Sequence, residues 1–398
     1  MLARQLFSND LVTWAPGLER NRVWKAEGED GKRWYEFGGC RQFTCSGTSA
    51  LYHVARALGL RSGDEVLLPA YHCGKEAAPF LHLGIRPIYY RIGDDLAPQI
   101  EHVERLITPQ TSAMLVTHFF GFPAALHAVK SICRERGIRL IEDCAHALFG
   151  RVSAGPLGAT GDAAVFSPRK FLPIPDGGIA VLNSPESLFP EAARPPSACL
   201  TAARVLNIRH KSLKRNAPLV ARLPRRLAFM AFLPFAAGTA ALTKAAAMVS
   251  RQWHPEVRPL NPPRRALLQG MSPTARTYLE RCTDWETIVR RRRRNYARLL
   301  TAARQTAGIE PLFGSLPPGV NPLCFPVKTN APGKAAEAAR RYGVVASDWW
   351  PLMDSGMDWD AFPLERMLKS SILVFPVHQS LSQGALDRIV DSFRELRR

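Results

Sequence analysis

The sequence predicts an α/β protein with a mostly parallel sheet and a second, smaller α/β unit behind it. Three observations predict it. Between about Ser46 and Asn183, short apolar runs alternate with stretches of helical spacing. At 398 residues the chain exceeds the ~250–300 at which single cores stop growing, so a large unit plus a smaller one is expected. A 46% hydrophobic and 22% charged composition is that of a folded chain, not a disordered one.

Val66–Pro69, Ile85–Tyr90, Ala113–Thr117, Arg139–Glu142, Ala163–Phe166 and Gly178–Leu182 read as strands. Ser49–Gly59, Gly74–Leu83, Ile100–Ile107 and Ala124–Gly137 read as the helices between them, several with a glycine stop. Met271–Arg304 reads as one or two helices, followed by the linker Pro317–Asn321. The second unit then has Leu323–Lys328 as strand, Ala331–Tyr342 as helix, Ser371–Pro376 as strand and Ser382–Arg397 as terminal helix. The expected division is 1–285 for the large unit and 286–398 for the small one. A Pro- and Arg-rich insertion at about 184–263 carries the apolar stretch Leu227–Val249. A helical hairpin packed on the body, or a peripheral membrane contact flanked by basic residues, are the two readings of that stretch.

A net charge of +19 suits anionic partners, whether phosphorylated small molecules, acidic lipid or nucleic acid. No helix-turn-helix, zinc or aromatic stacking module supports nucleic acid. The basic run Arg290–Arg294 reads as a solvated helix face. Eight scattered cysteines form no C-x-x-C pair, so neither a zinc site nor a dithiol is expected. Free thiols and the absence of a signal-like apolar run in Met1–Asn9 lead us to expect a cytoplasmic protein, with membrane association left to the 227–249 stretch.

Chemistry in an open α/β sheet is expected beyond the carboxyl ends of its strands. Ser46-Gly47-Thr48-Ser49 opens a helix with small residues, leaving backbone amides for a phosphate or simply for a cap. Ile141-Glu142-Asp143-Cys144-Ala145-His146 puts an acid at a strand end, where it can pair with a ring nitrogen and keep it protonated. His146 can contact a cofactor or that carboxylate, or be structural. Phe166-Ser167-Pro168-Arg169-Lys170 offers a lysine whose pKa a dry site would lower, making it nucleophile and base. Arg169 can add to that depression or bind phosphate. Asp176-Gly177-Gly178 permits a tight turn before the next strand.

The joint order of these motifs, with His118-Phe119-Phe120-Gly121 and Gly161-Asp162-Ala163-Ala164-Val165-Phe166-Ser167, resembles the DegT/DnrJ/EryC1/StrS aminotransferases, clearly from about Thr44 to Asn183 and more faintly from Met271 onward. The resemblance implies the type I fold of aspartate aminotransferase: a large three-layer α/β/α domain that binds pyridoxal 5′-phosphate, and a smaller C-terminal α/β domain. It implies a homodimer with the site completed across its interface. It further implies that Lys170 holds the cofactor as a Schiff base and moves the substrate proton, and that Asp143 is the ring-nitrogen partner. His146 falls near the ring oxygen. Gly47, Thr48 and Ser49 match the phosphate cup, with Ser167 as an additional phosphate ligand. The implied reaction transfers an amino group from an amino acid donor to a nucleotide-linked keto-sugar, for polysaccharide or glycoconjugate synthesis. A lyase or acyl-transfer use of the same cofactor, or a cofactor-binding protein with lost or regulatory activity, would share these residues.

Three departures stand out. Val165 occupies the position, five before the lysine, where the family has a phosphate-binding serine. Cys73 stands where the family has an aromatic ring over the cofactor, which shifts that role to Tyr71 or His72. Arg264-Arg265-Ala266-Leu267-Leu268-Gln269 replaces the aromatic and asparagine motif through which a second subunit reaches the phosphate.

Overall fold

The computed structural model describes residue 34, residues 38–205 apart from 199 and 203, 262–350 apart from 283, and 357–397. The apolar stretch 227–249 and the basic residues of 211–226 lie outside the described residues.

Seven strands form the main sheet: β1 (Cys40–Thr44), β2 (Glu65–Pro69), β3 (Arg86–Tyr90), β4 (Thr111–Thr117), β5 (Arg139–Cys144), β6 (Ala163–Phe166) and β7 (Gly178–Leu182), in the order β1-β7-β6-β5-β4-β2-β3. The pairs β2/β3, β2/β4, β4/β5 and β5/β6 are parallel, while β7 runs antiparallel to both β6 and β1. The inner strands of this sheet are apolar on both faces because both faces are covered. Val66, Leu68, Ala113, Leu115, Val165 and Ala180 enter one core; Leu67, Met114, Val116, Ala164, Phe166 and Val181 enter the other. Period-two side chains thus feed two helix layers.

On the first face lie α1 (Gly47–Ala57) and α2 (Ala78–His82), through Val54, Ala55 and Phe80. The second face carries α3 (Ile100–Leu106), α4 (His127–Arg136), α6 (Pro273–Arg281) and α7 (Trp285–Arg304), through Val103, Val129, Leu279 and Ile288. A short helix, α5 (Arg264–Leu267), precedes α6. This is the three-layer α/β/α arrangement expected. Gly74–Leu83 was expected to be helical throughout, yet α2 begins only at Ala78. Gly74 takes a φ of 83° and Pro79 sits in the first turn, where proline starts helices and does not continue them.

A second sheet of four antiparallel strands, β8 (Glu310–Pro311), β9 (Cys324–Lys328), β10 (Ser347–Asp348) and β11 (Ile372–Pro376), is ordered β8-β9-β11-β10. It packs with α8 (Pro332–Arg341) and α10 (Gln383–Phe393), while α9 (Pro363–Ser371) leads into β11. Its core is continuous with the second face of the main sheet. The strap 316–323 fastens it: Leu323 N–H donates to Phe120 O at 2.8 Å, and Asn321 Nδ2 donates to Leu148 O at 2.7 Å.

The run Arg290–Arg294 departs from the solvated face expected of it. Arg290 and Arg294 are exposed, but Arg292 is fully buried. The 3.6-residue period places Arg292 on the same stripe as Ile288, Asn295, Tyr296 and Leu299, facing the core.

Candidate active site

Strand register brings the motifs to one edge. Thr117 is level with Asp143, Cys144 with Phe166, and Thr44 with Gly178. His118, Ala145–His146, Ser167–Lys170 and the start of α1 therefore all leave the sheet at its carboxyl edge.

The cup at α1 is built by a close approach. Ser46 caps the helix, its hydroxyl accepting the Ser49 N–H at 3.1 Å. Behind it, Gly177 N–H donates to Cys45 O at 2.9 Å. A Cβ on Gly178 would lie 2.1 Å from Ser46 O, so only glycine lets β7 pass this close. On the open side, a Cβ on Gly47 would lie 3.7 Å from the Ser167 Cβ and 4.0 Å from its Oγ. Gly47 and Ser167 thus face each other across a space bordered by Ala145. Val165 is instead buried in the sheet core.

Ser49 requires a correction. Its hydroxyl donates to Leu267 O, with Gln269 O also in reach at 3.3 Å, and its N–H is taken by the cap. No donor remains for a phosphate, because the segment 264–269 lies against α1 from within the same chain. Cys45 joins that contact, its N–H donating to Gln269 O at 2.9 Å and its thiol to Ala266 O. Asp176 completes the brace. It accepts from Ser272 N–H at 2.9 Å and from Arg204 at 2.8 Å, and Arg204 also donates to the Gln269 side chain.

Lys170 ends a short 3-10 turn, Pro168–Lys170, its N–H donating to Ser167 O at 3.0 Å. Burial lowers the pKa of its amine; the nearby Cys73, Asp143 and Glu76 oppose that fall, and Arg169 adds to it. Asp143 is raised to about 6, by burial first and then by Glu76, against the pull of Lys170 and of the Ala145 N–H. That N–H reaches Asp143 Oδ1 at 2.9 Å. Among the described residues neither Asp143 Oδ2 nor Lys170 Nζ has a hydrogen-bond partner, and the buried Tyr71 hydroxyl has none either. Uncommitted polar groups gathered at one strand edge are what a ligand-binding place requires.

His146 lies among Phe120, Trp349 and Trp350, its Nδ1 accepting the Phe120 N–H at 3.4 Å. Burial, then the Lys170 charge, drives its pKa well below the usual value, so the ring is neutral. Tyr71 packs its ring against Phe119 and Trp350. His72 is held on three sides. Its ring stacks on Tyr89 at 5.0 Å and 4°, and its nitrogens meet Gly74 N–H at 2.8 Å and the Met357 sulfur at 3.1 Å. Both edges and one face are thus occupied by protein.

Sequence reasoning missed Glu76. It is buried and takes the Cys73 thiol on both oxygens at 3.1 Å, and the Cys73 N–H at 3.2 Å. The thiol is pushed up to about 12, by burial and then by Glu76, so it stays protonated. An acid just ahead of the apolar Ala77-Ala78-Pro79-Phe80 was the available signal.

Residues 42–191 match the DegT/DnrJ/EryC1/StrS aminotransferase family. The similarity to this family is carried by that segment. Among curated relatives it is 35% identical over 145 residues to the UDP-N-acetyl-3-dehydro-alpha-D-glucosamine 3-aminotransferase of Acidithiobacillus ferrooxidans, covering 35% of this chain and 39% of that one. It is 37% identical over 147 residues to the dTDP-4-dehydro-2,3,6-trideoxy-D-glucose 4-aminotransferase of Saccharopolyspora spinosa, covering 36% and 38%. The match spans about two fifths of those relatives' lengths. The fold likeness is broader. The PLP form of Spr1654 from Streptococcus pneumoniae superposes with a TM-score of 0.60 at 16% identity, over 90% of this chain and 86% of that one. The type I fold expected from the sequence is therefore the fold observed. No helix among the described residues is long and apolar enough to cross a membrane, and the seven cysteines among them are free.

Proposed function

We propose that this chain is a pyridoxal-phosphate-dependent aminotransferase that moves an amino group from an amino acid to a nucleotide-linked keto-sugar. The observation that carries the reading is the uncommitted pair of Lys170 amine and Asp143 carboxylate at one sheet edge, each within electrostatic reach of the other.

The residues present fit the cofactor. The Gly47 and Thr48 amides at the positive end of α1 would take its phosphate, with the Ser167 hydroxyl opposite. Pyridoxal phosphate supplies, when bound, a carbonyl that captures amines and a ring that draws electrons from the carbon they carry. Asp143, ionised above about pH 6, would hold the proton on the ring nitrogen. Lys170, whose pKa burial lowers, would hold the cofactor through its amine and would take and return the substrate proton at Nζ. Neutral His146, its Nδ1 accepting the Phe120 N–H, can donate one hydrogen bond from Nε2 without adding charge. The surrounding rings of Tyr71, Phe119 and Trp350 exclude water from that edge.

The sugar assignment is supported by the acceptors named for the two curated relatives, both nucleotide-linked dehydro-sugars. A charge of +19 favours such a diphosphate. A homodimer and a cytoplasmic setting are part of the same reading. Incubating the protein with pyridoxal phosphate, glutamate and a panel of nucleotide keto-sugars, and weighing the products, tests it. An amino-sugar nucleotide is the expected product. Loss of the amino group from the donor as ammonia, or release of carbon dioxide, without any amino-sugar would place the chain in another reaction class.

A further inference from the structure

One arginine of the basic run, Arg292, faces the interior from the buried stripe of α7. Arg292 is 0% exposed, and among the described residues no carboxylate pairs with it. Leaving a guanidinium in the interior is costly unless every donor is satisfied. Here Nε donates to Pro322 O at 3.0 Å, one terminal nitrogen to Leu323 O at 2.7 Å and the other to Gln379 Oε1 at 2.9 Å. Its planar face lies over the Phe171 ring, 4.6 Å from the centroid. Gln379 carries the contact on: its Nε2 donates to Phe171 O at 2.9 Å. The residue directly after Lys170 is therefore held by its ring and by its carbonyl, both from elements of the C-terminal half. Asn295, one turn along α7, fixes the same loop through Val377 O and His378 O at 3.2 and 3.0 Å.

We infer that Arg292, acting through Gln379 and the Phe171 ring, is a positioning residue that aims the Lys170 amine and ties that aim to the packing of the smaller sheet. The inference rests on the reading of Lys170 given above. A hydrophobic residue would fill the space, but it would leave Pro322 O, Leu323 O and Gln379 without donors. Lysine would keep the charge and lose both the fork and the stack.

Two variants separate aim from folding. Arg292→Lys retains the charge. Gln379→Glu keeps an acceptor for Arg292, now ionic, and turns the donor to Phe171 O into an oxygen that repels it. Each is compared with the unaltered chain in two binding experiments. The first measures equilibrium affinity for pyridoxamine phosphate, which makes no covalent bond to a lysine. The second measures the rate at which pyridoxal phosphate is captured, followed by its visible absorbance. Both variants should bind pyridoxamine phosphate as the unaltered chain does, while capturing pyridoxal phosphate about tenfold to a hundredfold more slowly, the cost of roughly an ångström of misplacement. Capture at the unaltered rate would overturn the inference. So would a parallel loss of pyridoxamine phosphate affinity, which would mark general structural damage. If the unaltered chain captures no cofactor on Lys170, the reading of the site fails first and takes this inference with it.

Discussion

Two acids follow one another on β5, and their surroundings are opposite. Glu142 is fully committed: His118 Nε2 meets one oxygen at 2.9 Å, Gly158 N–H meets the same oxygen at 3.1 Å, and Thr160 and Gly161 N–H groups meet the other at 2.6 and 2.7 Å. His118 Nδ1 accepts the Ala124 N–H at 3.0 Å, so its proton sits on Nε2 and points at the carboxylate. Burial would raise the Glu142 pKa, but His118 and these amides more than offset it, and the net shift is downward. Asp143, one residue on and facing the other way, holds one amide, has its pKa raised to about 6 and keeps an oxygen uncommitted. Cys144 comes close enough to His118 and Glu142 to suggest a metal-like trio, with ligand atoms within 4.8 Å, but burial drives its thiol pKa far up and the Glu142 oxygens are filled. A satisfied buried acid holds a fold together; an unsatisfied one is kept for chemistry.

Substitutions break this contrast in order of size. Replacing Lys170 by Ala should abolish covalent capture and reduce amino transfer by a thousandfold or more, on the order of the loss of an activated nucleophile. Circular dichroism should show the fold retained, since Nζ makes no hydrogen bond among the described residues. Glu142→Gln should cost ~3 kcal/mol of stability in urea unfolding, because it breaks a closed buried network. The folded-state pKa of Glu142 is depressed, so its contribution is present above the unfolded value and is lost as pH falls through the folded one.

Asp143→Asn should act in the opposite direction on stability. The folded pKa is raised to about 6 from 3.8, so ionised Asp143 destabilises the cofactor-free chain above pH 6, and the penalty disappears as pH falls through 6 toward 4. Removing the charge should stabilise the cofactor-free protein at pH 8 by up to ~3 kcal/mol, while cofactor affinity falls. Unaltered protein should likewise lose cofactor affinity below about pH 6, as titrations across that range would show. The smallest effect belongs to Ser49→Ala, about 1 kcal/mol of stability with unchanged cofactor affinity, since the hydroxyl serves Leu267 O. A large loss of affinity there would mean that the hydroxyl serves the cofactor instead.

The parallel strands were legible because each is an apolar run ending at a turn or helix start, and the meeting of Asp143, His146 and Lys170 at one sheet edge follows from where those runs end. Ser49 misled because sequence order shows that a donor exists, not whether another segment has already taken it. The partners of Ser49 lie 218 and 220 residues away. Arg292 misled for a related reason. Within a run of five arginines nothing in composition marks the one that turns inward; only the register with Ile288 and Tyr296 does. The edge strand β1 was missed because Cys-Arg-Gln-Phe-Thr shows neither an apolar run nor clean alternation.

The central claim is that the uncommitted amine at the sheet edge is the cofactor's attachment point. Borohydride reduction in the presence of pyridoxal phosphate, followed by peptide mapping, tests it most directly. The account predicts a single labelled peptide with the label on Lys170, reduced in yield as pH falls below about 6. A label on another lysine, or none at all, would contradict it.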